Sequence, residues 1–99
     1  MTISTPILNT RQGSSIEESL AIGGEIPDKS RASAYLASLM DNGGKIVLEC
    51  QLDQSARMLK LGLVSMKSAK LSPGRYSYSI EITNGGSKQV FGNYLLVQP

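Results

Sequence analysis

The clearest pattern in the chain is a period of two over residues 76–82, where Tyr76, Tyr78, Ile80 and Ile82 alternate with Ser77, Ser79 and Glu81. Successive side chains of a strand point to opposite faces, so this spacing predicts a strand with one face on a core and one in water. Ser72-Pro73-Gly74 before it reads as a tight turn, because proline presets φ and glycine supplies a positive φ. Thr83-Asn84-Gly85-Gly86-Ser87 after it is a hairpin connection. A closing strand then runs over about residues 88–97.

The same alternation recurs upstream. Over residues 45–53, Ile46, Leu48, Cys50 and Leu52 alternate with Val47, Glu49 and Gln51, which places Cys50 in the inward set as a small buried hydrophobe. Over residues 58–63, Leu59, Leu61 and Leu63 form the inward set. Over residues 15–22, Ile16, Leu20 and Ile22 share a face that Glu18 interrupts; a strand is expected, with a helix as the rival because Glu17, Glu18, Leu20 and Ala21 are helix formers. Residues 32–40 also admit two readings. Alanine and leucine favour a helix by propensity, whereas Ala32, Ala34 and Leu36 alternate with Ser33, Tyr35 and Ala37 as in a strand. The hairpin signal Asp41-Asn42-Gly43-Gly44 behind them favours the strand. Residues 65–70 suit one helical turn capped by Ser65.

Residues 1–10 contain Pro6 and no sustained period; Ile7 and Leu8 suit at most a short edge strand. This segment reads as an N-terminal arm, frayed or laid on a neighbouring molecule, ahead of a single domain over residues 11–99. About seven short strands with recurring turn signals predict an all-β, antiparallel sandwich. In the closing strand, placing Val90, Tyr94 and Leu96 on the core turns Phe91, Leu95 and Val97 outward, unless a bulge at Gly92 shifts the phase. Three large apolar groups on an outer face mark a contact site, or else a surface covered within the same molecule. With Ile7 and Leu8 of the arm, these are the candidate interface residues: Ile7, Leu8, Phe91, Leu95 and Val97.

Composition narrows the function classes. Ten basic and eight acidic residues give a net charge of +2, which is not the clustered basic footprint that nucleic acid requires. No apolar run approaches the length of a membrane span. Met1 is followed by polar residues, so no export signal is expected, and the lone Cys50 has no internal disulfide partner, which suits assembly in a reducing cytoplasm. There is no histidine, no pair of cysteines for zinc and no phosphate-binding glycine loop; the acids are scattered or sit at turns. With no nucleophile–base pair and no metal set, neither an enzyme nor a cofactor is expected. Tyr76 and Tyr78 could offer a stacking platform, but core tyrosines with a hydroxyl at the rim explain the pattern equally.

The residues resemble a known family. Arg11-Gln12-Gly13-Ser14-Ser15 opening a strand, the Pro27-Asp28 step and the alternating leucines from Leu59 to Leu63 carry the likeness. So do the run Leu71-Ser72-Pro73-Gly74-Arg75-Tyr76-Ser77-Tyr78-Ser79-Ile80-Glu81 and Gly92 ahead of Tyr94-Leu95-Leu96-Val97. This pattern is similar to small virion proteins of tailed bacteriophages and to the N-terminal domain of phage upper baseplate proteins, which share an immunoglobulin-like β-sandwich. Lys29 and Leu39-Met40 depart from it. The resemblance implies a structural protein on the virion exterior, made in the bacterial cytoplasm. A capsid decoration protein is favoured over a neck, tail or baseplate adaptor that anchors a fibre. It implies copies of itself and other virion proteins as partners, with no nucleic acid, membrane or catalytic residue involved. A carbohydrate-binding module touching the host surface is the competing class.

Overall fold

The computed structural model describes residues 1–38 and 45–99. The hairpin expected at residues 41–44, and the last two residues of the strand expected over 32–40, lie outside the described residues. The chain is all-β: β1 (Thr2–Ile3), β2 (Leu8–Arg11), β3 (Ile16–Gly23), β4 (Arg31–Ser38), β5 (Ile46–Asp53), β6 (Met58–Leu63), β7 (Gly74–Asn84) and β8 (Ser87–Gln98). The single helix among the described residues, α1 (Ser65–Ser68), is one turn long. Residues 16–23 and 31–38 are strands, so the helical alternatives for both segments fall; alternation outweighs propensity where one face meets a core. Ser65 makes no capping bond, and Val64 occupies the cap position instead.

Hydrogen bonds link all eight strands into one curled sheet in the order β1-β3-β6-β5-β4-β7-β8-β2. Among the described residues eight strands are present where about seven were expected, and the sheet is mixed, because β2 runs parallel to β8 while the other pairs are antiparallel. What was expected as two separate sheets is one continuous sheet with β5 at its bend. The start of β5 pairs with β4 (Leu36↔Ile46, Ala34↔Leu48), and from Glu49 to Asp53 it pairs with β6 instead.

One core fills the concave side. Ile16, Leu20 and Ile22 of β3 lie beside Leu59, Leu61 and Leu63 of β6 on the same inner face, with Ile16 paired to Leu63 and Leu20 to Leu59. From the other half come Ala34, Leu36, Tyr76, Tyr78, Ile80, Ile82, Leu95 and Val97, all buried. Glu18 stands on this inner side, half-buried, and disrupts the alternation as its sequence position predicts. Cys50 belongs to the inward set but is half-buried rather than fully buried, since β5 leaves β4 at that point and opens the core edge.

The first eleven residues are not a free arm. β1 pairs with the β3 edge and β2 with the β8 edge, so residues 4–7 cross from one edge of the sheet to the other. Ser4 N–H donates to the Ala21 carbonyl at 3.0 Å on the first edge. On the second, Asn93 Nδ2 donates to the Thr5 carbonyl at 2.7 Å, and the Tyr78 hydroxyl donates to the Pro6 carbonyl. Pro6 has no N–H to offer a ladder, which suits the point where the chain leaves one edge for the other.

Candidate partner-binding surface

The register of the β7–β8 hairpin decides which side chains are available to a partner. The pairing runs without interruption from Asn84↔Ser87 to Gly74↔Val97 across the two-residue Gly85-Gly86 turn. It sets Ile80 opposite Phe91 and Tyr76 opposite Leu95. Leu95 and Val97 therefore point inward and are buried, Phe91 is half-buried against the core, and Val90 and Tyr94 point outward. This reverses the faces expected for β8. Both phases of that strand carry three large apolar groups, so alternation alone does not choose between them. Gly92 makes no bulge; a Cβ there would collide with the carbonyl oxygen of Tyr78, so β8 approaches β7 too closely at that point for any side chain.

Of the five expected interface residues, Leu8, Leu95 and Val97 are buried within the chain, with β2 laid in register along β8 (Leu8↔Leu95, Thr10↔Val97). Phe91 is half-buried, and Ile7, at 54% exposure, is the one that stands open. The structure brings a different set together. On the convex side, the rows Val47–Tyr35–Ser79–Gly92, Ala37–Ser77–Tyr94 and Ser33–Glu81–Val90 lie side by side across β5, β4, β7 and β8. Val47 is 71% exposed, Val90 58% and Tyr94 44%, with Ile7 at the rim. Two tyrosines and three aliphatic groups thus surround a floor of serine, alanine and glycine. Tyr35 and Val47 were legible as outward by phase, whereas Tyr94 was lost to the wrong face.

A charged frame holds these tyrosines. Lys45 Nζ lies 4.4 Å from the centre of the Tyr35 ring, and the Arg75 guanidinium lies 5.5 Å from that of Tyr94. The Tyr35 hydroxyl donates to Glu81 Oε1, which Lys88 Nζ also reaches at 2.9 Å. The hydrogen bond from Tyr35, followed by that from Lys88, holds the Glu81 carboxyl below its ordinary range; the same bond to Glu81 raises the Tyr35 hydroxyl. On this outer face Arg11, Arg31, Lys45, Arg75 and Lys88 stand against Glu81 alone among the described residues.

The convex side of β3, β6 and β5 has the opposite sign. Glu17, Glu49 and Asp53 point outward there against Lys60. Glu17 and Glu49 both pair with Gly62, so two carboxylates flank a position without a side chain. A shallow groove of about 680 Å³ runs over this row. Asp53 at its end is committed to the β5–β6 turn, accepting from Ser55 Oγ at 2.9 Å and Ala56 N–H at 3.0 Å, the latter being the main cause of its lowered pKa.

Tyr76 and Tyr78 are buried, so they form no stacking platform. Among the described residues, no three of His, Cys, Asp and Glu gather closely enough to hold a metal ion, and no helix is long and apolar enough to cross a membrane. No protein-family model matches the chain, and no curated protein matches it.

Proposed function

We propose that this chain is a non-enzymatic structural subunit of a tailed bacteriophage particle, an accessory domain on the virion exterior, with capsid decoration favoured over a neck, tail or baseplate adaptor. The observation that carries the reading is the open convex face of Val47, Tyr35, Val90 and Tyr94, large apolar and aromatic groups exposed together on one side of the sheet. Two features support the immunoglobulin-like fold that the resemblance implies. Divided at the bend in β5, the sheet gives β1-β3-β6-β5 and β4-β7-β8-β2; with β2 set aside as an added edge strand, these follow the order of strands ABED and CFG in an immunoglobulin sandwich. The Tyr76 hydroxyl, near the start of β7, donates to the Ser72 carbonyl at 2.8 Å, a bond of the kind made at the tyrosine corner of such domains.

A carbohydrate-binding role has one observation in its favour, the exposure of Tyr94 beside Tyr35 on one face. It has one against it: Lys45 and Arg75 already lie over those rings, where a sugar would stack. The test is quantitative mass spectrometry of purified phage particles, with the wild-type chain and with Val90→Asp/Tyr94→Asp. The expected result is a fixed, high copy number for the parent and a loss of at least roughly tenfold for the variant, as for removing the centre of an interface. Particles that lack the parent chain, or that take up the variant fully, would sink the proposal.

A further inference from the structure

The two convex faces match each other in charge. We infer that copies of this chain associate head to tail, the basic tyrosine face of one copy seated on the acidic β3-β6-β5 face of the next. The inference rests on the structural-subunit reading for the role of the tyrosine face and names its partner.

The complement is present in the same sequence. Among the described residues, one face carries five basic groups against Glu81, and the other carries Glu17, Glu49 and Asp53 against Lys60. A two-fold dimer through the tyrosine face would set basic residues against basic residues, which costs affinity. The opposite pairing brings Arg75, held on the Tyr94 ring, and Lys45, held on Tyr35, against carboxylates. The Glu49 carboxylate lies over Gly62, 3.1 Å from where a Cβ would stand, and Glu17 flanks the same position, so a cationic side chain arriving from outside meets two acceptors. The molecule measures 40 × 26 × 20 Å. Its broad side is therefore an outline of about 1,000 Å², comparable to the roughly 800 Å² per partner of a standard interface. Because the two surfaces differ, each contact leaves one of each free, and the assembly grows into a ring or a row.

Sedimentation velocity of the full chain tests this at about 20 mM and about 500 mM salt, since screening weakens exposed charge pairs. The expected result is a concentration-dependent series of oligomers at low salt and monomer at high salt. Arg75→Glu and Glu49→Lys lie at exposed positions, and circular dichroism checks that each variant keeps its fold. Each should weaken association by at least roughly tenfold. Mixed one to one, they should recover association and growth, because the unaltered faces still match and the two altered faces match each other. The double variant should regain association. A chain that is monomeric at low salt, or whose association ignores both substitutions, overturns the inference. A chain that is monomeric yet abundant on particles overturns it while leaving the virion reading intact. One that associates as described yet is absent from particles supports it and removes that reading.

Discussion

At Tyr76 a single hydroxyl ties the turn before β7 to the strand itself. The ring is buried and its oxygen donates to Ser72 four residues back at 2.8 Å. Tyr76→Phe keeps the ring and loses the bond, at a cost of about 1 kcal/mol. For a domain of this size that lowers Tm by about 4–8 °C, and a thermal melt unchanged from the parent would show that the corner contributes nothing. Cys50 behaves differently, because its burial is partial. Desolvation pushes its thiol up to about 11 from 9.0. The thiolate is thus scarcer by roughly a hundredfold at neutral pH, partly offset by its greater intrinsic nucleophilicity, so labelling should run about tenfold slower than for a free thiol. A folded pKa above the unfolded one also means that the neutral thiol supports the fold fully below about pH 9. That support is lost as pH rises through about 11. Denaturation midpoints should therefore fall more steeply between pH 8 and 11 in the parent than in Cys50→Ala (the pH range is a rough bracket of the two pKa values). Parallel curves would place the thiol in water. The inward phase of Cys50 was readable from its neighbours; the opening of the core beside it was not, since it depends on where β5 changes partners.

At the level of the element, the β7–β8 hairpin shows what alternation can and cannot decide. Tyr76, Tyr78, Ile80 and Ile82 face the core as their spacing predicts, because Ser77, Ser79 and Glu81 leave no rival set. In β8 the two sets are equally apolar, and the deciding information lies in the turn. Gly85 has φ 58° and, with Gly86, forms a two-residue connection, which pairs Asn84 with Ser87 and so fixes every later partner. Counting across that turn sets Ile80 opposite Phe91 and Tyr76 opposite Leu95, so the correct faces were encoded in the loop length. The tyrosine face followed from the same count. Gly92 gives the hairpin its own test. A methyl group there must displace the Tyr78 backbone, so Gly92→Ala should destabilise by about 1–3 kcal/mol, as other overpacking changes do. Chemical denaturation measures this directly; a variant as stable as the parent would mean that the two strands separate at no cost.

For the whole molecule, the decisive feature is the segment the sequence left shapeless. Residues 2–3 and 8–11 have too few positions for any period to register, and β2 joins its partner in parallel from the far end of the chain, a pairing that no local pattern announces. Yet this segment closes both edges of the sheet. Ile3 and Leu8 are buried at 6% and 7% exposure, on opposite edges, and the Tyr78 hydroxyl, raised to about 12 chiefly by its own burial, finds its acceptor at Pro6 between them. Deleting residues 1–10 should therefore act as a core mutation. Two buried aliphatic side chains contribute roughly 3–6 kcal/mol together, against about 5–15 kcal/mol for a typical whole domain. Ile3→Ala and Leu8→Ala, at separate edges, should each cost part of this and add nearly independently. The deletion also bares the β8 edge from Leu95 to Gln98, and an unpaired edge recruits other chains. The deleted protein should melt well below the parent and scatter light at concentrations where the parent stays clear. An arm laid on a neighbour would behave in the opposite way, leaving Tm unchanged and reducing association. The melting temperature of one truncated chain in dilute solution thus separates a strand that completes its own sheet from one that completes another molecule's.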